Sequence, residues 1–310
     1  MKRCIIVLAA LLLFAAAQAA QAQAQAQTIK IGVLPVLDAL PLQIAVRDGL
    51  FEKHGLHVEL TPFASALERN TALAGGQLDG YFSDMVDVLL FMRNRTPIRV
   101  VTVSYRTTPG QPMFGLATSP ARSRRSIDAL KAFGVAYSRA TVIEYILDAM
   151  LQKAGLPQNY FQRVEIKKIP IRMQMLLTDG VALAVLPEPL LDLTKSQGGD
   201  VLLTDENLDI PLTVICLKDE LALDGATRKA FLAAYGEAVQ RINAHPDQYR
   251  SLMRETCRIP ESLAETFPVY RYPAPSLPAP DKVEAVQQWM LGKKLLKQRI
   301  DYARITAPAD

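Results

Sequence analysis

Between residues 28 and 104, four short β-rich runs are separated by three segments with a helical apolar period, each with its own start or stop signal. Residues 28–33 (TIKIGV) alternate and are β-rich, which makes a first strand. A loop over 35–41 leads to Leu42, Ala45, Val46, Gly49 and Leu50, one face of a helix ending near Gly55. Residues 58–61 form a second strand. Ser65 with Glu68 reads as a capping box opening a helix, and Gly75-Gly76 closes it. Residues 78–82 form a third strand, Ser83 or Asp84 suits the cap of the next helix, and 98–104 form a fourth. This β-α-β-α-β-α-β order specifies a parallel sheet with helices on its faces.

A second series then begins. Residues 113–118 read as a strand leading away, Ser126 as the start of a short helix, and 133–137 as a strand. Thr141 with Glu144 caps an amphipathic helix: Ile143, Ile146, Leu147, Met150 and Leu151 share one face, and Gly155 ends it. A strand over 164–169, a helix over 173–177 and strands over 181–186 and 201–204 follow, with Pro187-Glu188-Pro189 breaking the first of those two strands. Residues 211–217 look like a strand returning to the first series. Helices are expected over 227–243, 247–255 and 281–292, and the Pro-rich run 268–280 should lie extended over the surface. Two α/β series joined by two crossing strands imply two lobes with a cleft between them: 28–115 and 206–310 in the first, 116–205 in the second.

The first 27 residues have the make-up of a secretory signal peptide. Lys2 and Arg3 are followed by an apolar run from Ile5 to Ala17, too short to span a bilayer, and then by repeated Ala-x-Ala sites, so cleavage between 21 and 28 is expected. That places the mature chain in the periplasm. Lys2 and Arg3 supply two of the four net positive charges, and the other basic residues are scattered, which argues against nucleic acid. The small cluster Arg122, Arg124 and Arg125 reads as a solvated loop. Cys216 and Cys257 remain after cleavage and are read either as a bridge or as two buried thiols. No Cys/His spacing suits zinc, so no metal or cofactor is expected.

In open parallel sheets, ligands sit outside the carboxyl ends of the strands, where helix N-termini offer free N–H groups. Those ends supply Asp38, Ser65, Ser83, Asp84, Ser138, Arg139, Thr141 and Glu188. Ser65, Thr141 and one of Ser83 and Asp84 are explained as caps without a ligand. Asp38 suits a loop turn. Glu188, between two prolines, has no evident capping role and reads as a site residue. Arg139 suits an anion or a pairing with Glu188. Nothing reads as catalytic: there is no G-x-S-x-G elbow, P-loop or G-x-G-x-x-G.

Four stretches carry a resemblance. IGVLPVLDALPLQIAVRDGLFEKHGLHVEL (31–60), TPFASALERNTALAGGQLDGYFSD (61–84), VAYSRATVIEYILDAMLQKAGL (135–156) and DGVALAVLPEPLL (179–191) resemble, in order and spacing, solute-binding proteins of ABC importers. The group concerned binds sulfonates, nitrate and thiamine pyrimidine precursors, and the likeness runs from about residue 29 to residue 239. The resemblance implies a type II periplasmic-binding fold of two Rossmann-like lobes on a two-strand hinge, one ligand between them and closure by hinge motion. It also implies a monomer partnered by an inner-membrane ABC permease. The loop 138–140 lacks the glycines common there, and Asp38, Asp84 and Glu188 facing one cleft would repel a strong anion. An amine-bearing or neutral heterocycle, such as an aminopyrimidine, is the expected ligand class. The alternatives are a sulfonate or nitrate receptor and an enzyme on the same fold.

Overall fold

The computed structural model describes residues 28–309, so the leader and its cleavage sites lie outside the described residues. In the first sheet β1 (Thr28–Val33) pairs in parallel with β2 (His57–Pro62) and β3 (Gly80–Asp84), and β4 (Ile98–Arg106) forms an edge. The second sheet contains β5 (Phe114–Thr118), β6 (Gly134–Tyr137), β7 (Gln162–Glu165), β8 (Leu183–Pro187) and β9 (Val201–Thr204). The chain then returns to the first sheet as β10 (Pro211–Lys218). The strand orders are β2-β1-β3-β10-β4 and β7-β6-β8-β5-β9. Both sheets have one plan: a parallel trio, then an antiparallel strand that has arrived from the other sheet, then an edge strand.

The two crossings run side by side between these sheets. Thr107 N donates to Ile210 O at 3.0 Å, and Ile210 N to Thr107 Oγ1 at 2.8 Å. Asp205 Oδ1 accepts from Met113 N at 2.9 Å and Phe114 N at 3.1 Å, which ties the outward crossing to the return one. Phe114 and Gly115 already pair in the second sheet, opposite Pro187 and Leu186.

The helices follow the capping signals. The helix expected to end near Gly55 is two, α1 (Leu40–Arg47) and α2 (Leu50–Lys53), because Gly49 takes a φ of 65° and ends the first ladder. Helices α3 (Ala66–Ala74), α4 (Met85–Arg93) and α5 (Val142–Lys153) start at Ser65, Asp84 and Thr141, whose side chains accept from Glu68 N, Asp87 N and Ile143 N. Helix α5 buries Ile143, Ile146, Leu147, Met150 and Leu151, each typically worth about 1.5–3 kcal/mol when removed from water. Helices α6 (Ile169–Leu177), α7 (Leu190–Ser196), α8 (Asp219–Leu223), α9 (Gly225–Ala244), α10 (Arg250–Cys257), α11 (Pro280–Gly292) and α12 (Tyr302–Ile305) complete the set.

Four expectations fail locally. The strand expected over 164–169 is β7, which ends at Glu165, and Ile169 already opens α6. Ser126 opens a series of turns, bonded Leu130 N to Ile127 O and Phe133 N to Leu130 O, and not a helix. Strand β3 begins two residues later than expected. Gly80 lies so close to β10 that an added Cβ would meet Cys216 O at 2.6 Å, so the pairing starts where the side chain is absent. The run 268–280 is extended, but it is not simply a surface strap: Tyr270 and Tyr272 are buried. Val103 N donates to Ser276 O at 2.8 Å, which fastens the run to β4.

Apolar clusters cover both faces of the first sheet. One joins Ile31 and Val33 to Phe231, Tyr235 and Ile242 of α9 and continues to Leu116, Val135 and Ile146 of the second sheet. The other joins Val86, Leu89 and Val100 to Val283, Val286 and Met290 of α11. Cys257 lies in the first and Cys216 in the second, so they are two separate buried thiols. Among the described residues, no helix is long and apolar enough to cross a membrane.

Candidate functional site

A buried arginine underlies the strand ends of each sheet. Arg69 and Arg172 are each the fourth residue of a nine-residue helix, α3 and α6. Each donates to the carbonyl of the third residue of the neighbouring strand: Arg69 Nη1 to Phe82 O at 2.6 Å and Arg172 Nη1 to Val185 O at 2.8 Å. Arg69 also binds Asp87 Oδ2 at 2.7 Å and Ser83 Oγ at 3.2 Å. Arg172 binds Ile166 O and the Ser138 hydroxyl, with no carboxylate among its hydrogen-bond partners, and burial lowers it to about 10. Neither arginine is visible as a core residue in the sequence, because arginine on an amphipathic helix ordinarily faces water.

These arginines occupy two of the eight candidates. Ser83 Oγ donates to Asp87 Oδ2 at 2.6 Å while accepting from Arg69, and Ser138 Oγ donates to Lys167 O at 3.4 Å while accepting from Arg172. Ser65 and Thr141 act as the caps that the sequence suggested; Thr141 Oγ1 also donates to Ser138 O at 2.8 Å. Asp84 caps α4, and burial, with the Asp87 charge acting in the same sense, pushes its carboxyl up to about 7. Arg139 is exposed, and among the described residues it forms no ion pair; the suggested pairing with Glu188 is absent.

Asp38 and Glu188 differ from the others. Asp38 lies in a short 3-10 turn, Leu37–Ala39, beyond the end of β1, and is 4% exposed. Its main-chain oxygen accepts from Ser104 Oγ at 2.6 Å. Burial raises its carboxyl to about 6, against the lowering effect of the Thr213 hydroxyl beside it. Glu188 is also 4% exposed and has a capping role after all: its Oε2 accepts from Asp192 N at 3.1 Å in the first turn of α7. Burial, then the Asp192 charge, pushes its carboxyl up to about 8. Glu188 is therefore a buried group with structural duties, not the loop carboxylate that the sequence suggested.

Between these two acids stand tyrosines that sequence reasoning missed. Tyr105 of β4 stacks on Tyr270 with centroids 6.1 Å apart and meets Tyr272 edge-on at 6.0 Å. Their hydroxyls donate to Gln111 O, Pro112 O and Leu37 O respectively, so the ring positions are fixed on the crossing segment and on the Asp38 turn. Burial raises all three phenols. After burial, Glu188 is the largest influence on Tyr270, while Asp38 contributes at Tyr105 and Tyr272. Tyr272, at one end, bonds the carbonyl next to Asp38 beyond β1; Tyr270, at the other, bonds Pro112 O, next to Met113, whose carbonyl accepts from Glu188 N beyond β8 at 2.8 Å. The signal was the spacing Tyr270-x-Tyr272 in an extended run, which puts both rings on one side.

Asp205 completes the surroundings: its Oδ2 is buried without a hydrogen-bond partner, and burial pushes the group up to about 7. Two surface grooves, of about 480 and 390 Å³, are lined by residues such as Glu284 and Arg299 or Leu67 and Thr71, and touch none of the eight candidates. Among the described residues, no group of three His, Cys, Asp or Glu side chains could hold a metal ion.

The fold is shared with solved structures. The zinc-bound ligand-binding component of an ABC-type import system from Staphylococcus aureus superimposes with a TM-score of 0.75 at 16% identity, covering 91% of this chain and 97% of that one. The periplasmic aliphatic sulphonate-binding protein SsuA from Escherichia coli gives 0.74 at 18% identity, with 90% and 97% covered. The periplasmic nitrate-binding protein NrtA from Synechocystis gives 0.67 at 17% identity, with 88% and 83% covered. At these identities the likeness establishes the periplasmic-binding-protein fold. No curated protein matches the sequence. The NMT1-like family matches residues 22–256, most of the chain, and the protein belongs to that family.

Proposed function

We propose that this protein is an exported receptor that holds one small solute between its two lobes and presents it to an ABC permease. The observation that carries the reading is the pair Asp38 and Glu188: two buried acids, one following a strand of each sheet, on segments that the tyrosine stack links through the bonds of Tyr272 to Leu37 O and Tyr270 to Pro112 O. A binding protein needs ligand contacts on both lobes, so that occupancy and closure are one event. The crossings at Thr107–Ile210 and Asp205–Met113 are the natural hinge. The similar solved structures include binding components of ABC-type importers, which favours binding over catalysis.

The ligand class follows from the same groups. A planar heterocycle would stack on Tyr105, Tyr270 or Tyr272 once the lobes open, since the three rings are buried against one another in this structure. An amine would anchor on Asp38, and Glu188, largely protonated near neutral pH, would donate to a ring nitrogen or ionise beside a cation. The sulfonate and nitrate relatives suggest an anion instead, and Arg139 would suit one, but a sulfonate between Asp38 and Glu188 would face two acids in a desolvated site. Native mass spectrometry on protein purified without denaturation tests the reading. A small molecule with a basic nitrogen should co-purify with the wild type and be lost from Asp38→Asn. A sulfonate found in its place would refute the ligand class.

A further inference from the structure

The two sheets also meet away from the tyrosine stack. Helix α11 is seated on the first sheet through Val283, Val286 and Met290, and its C-terminal turn reaches α5 of the second. The Trp289 and Tyr145 rings meet edge-on at 5.2 Å. Trp289 Nε1 donates to Asp148 Oδ2 at 2.9 Å, and Arg163 Nη2 to Asp148 Oδ1 at 2.6 Å. Lys293 Nζ, just past the helix end, lies 2.7 Å from Asp148 Oδ2 and 3.2 Å from Glu144 Oε1. Glu144 and Asp148 are 8% and 2% exposed, so their charges depend on these donors. Burial alone would lower the Lys293 ammonium; Asp148 and Glu144 outweigh it and hold it above its ordinary value.

Asp148 has enough partners to hold the helices together without Glu144. Glu144 has a separate task. Its Oε2 accepts from Ala140 N at 2.7 Å, while its Oε1 faces Lys293. Ala140 sits in the loop 138–140 with a φ of 57°, a backbone conformation that a residue with a Cβ seldom adopts. The grip of Glu144 on the Ala140 N–H holds that turn, and the other oxygen of Glu144 is held by a cation from the opposite sheet.

We infer that Lys293 is a positioning residue: by fixing Glu144 it sets the conformation of the loop 138–140 across the lobe boundary, so that the loop is ordered only while the lobes stand together. The inference rests on reading that loop as ligand-facing. Separation of the lobes withdraws Lys293 and Trp289, frees Glu144 and loosens the Ala140 turn. Approach of the lobes rebuilds it before or as a solute is enclosed.

Amide hydrogen exchange on the full chain without added ligand tests this. Lys293→Met should speed exchange at Ala140 and Thr141 by tenfold or more. Amides of β1 and β8 should keep their wild-type rates, and Lys293→Arg should restore the loop. If Lys293→Met does not fold, Lys293→Gln, which keeps a donor for Asp148, gives the same comparison. Unchanged exchange at Ala140 overturns the inference. So does exchange that rises equally across both sheets, the mark of a merely structural contact. Because no ligand is present, this result stands or falls independently of whether the loop touches solute.

Discussion

Replacing Glu188 by Gln should make the ligand-free protein more stable at pH 8 and leave it almost unchanged at pH 5. The Glu188 carboxyl is buried, with Asp192 N bonded to its Oε2, and its folded value of about 8 lies well above the ordinary 4.5. A raised value means that the folded state keeps a proton which the unfolded chain gives up. The stabilising contribution is therefore complete below pH 4.5, declines as pH rises, and is gone above about 8. At about 1.4 kcal/mol per unit of difference, the full loss is on the order of 5 kcal/mol. Relaxation and water penetration reduce the expected gain at pH 8 to about 2–4 kcal/mol. Gln keeps an acceptor for Asp192 N and needs no proton. Urea unfolding followed by circular dichroism at both pH values, at fixed ionic strength, measures the difference. A Gln variant that is no more stable at pH 8, or a gain of the same size at pH 5, would mean that Glu188 does not hold a proton in the folded state.

The paired arginines should respond unequally to substitution in urea unfolding. Arg69→Met leaves the Asp87 carboxylate without its cation, held only by Ser83 and Asn70, and should cost about 3 kcal/mol or more, whereas Arg172→Met leaves only neutral oxygens unpaired and should cost about 1–3 kcal/mol. Equal costs would deny Asp87 its part. The thiols of Cys216 and Cys257 should both titrate with a thiol reagent in denaturant without reductant, and neither should titrate in the native protein; a single mass matching a bridged chain would contradict the packing described. Tyr272→Phe removes the bond to Leu37 O and should cost about 1 kcal/mol by thermal unfolding.

Where local chemistry decided the structure, the sequence was readable. The strands Thr28–Val33 and Val201–Thr204 appear where they were expected, and Ser65, Asp84 and Thr141 cap the helices they were expected to cap. Distant partners decided the rest. Gly80 starts its strand because of Cys216 on β10, more than a hundred residues later. Arg69 and Arg172 are buried because carbonyls of neighbouring strands receive them, a contact with no local signature. The same holds at the site. Its two ends, Asp38 and Glu188, were legible as residues following strands. Their burial, and the tyrosines from the edge strand and the Pro-rich run that stand between them, depend on how the chain crosses between sheets. The expected net-negative charge changes accordingly: burial pushes Asp38, Asp84 and Glu188 towards the neutral form, so an amine bound as proposed would have to draw out the charge that holds it.

The most direct test of the receptor reading is a melting screen of the mature protein at pH 7.5 against aminopyrimidines and related amine-bearing heterocycles, taurine, alkanesulfonates and nitrate. A solute that binds only the folded state stabilises it by RT ln(1 + [L]/Kd), about 2.7 kcal/mol at a hundredfold excess over Kd. An amine-bearing or neutral heterocycle should give a shift that is lost in Asp38→Asn, and the sulfonates and nitrate should give none. A clear shift with an alkanesulfonate, retained in Asp38→Asn, would contradict the proposed ligand class.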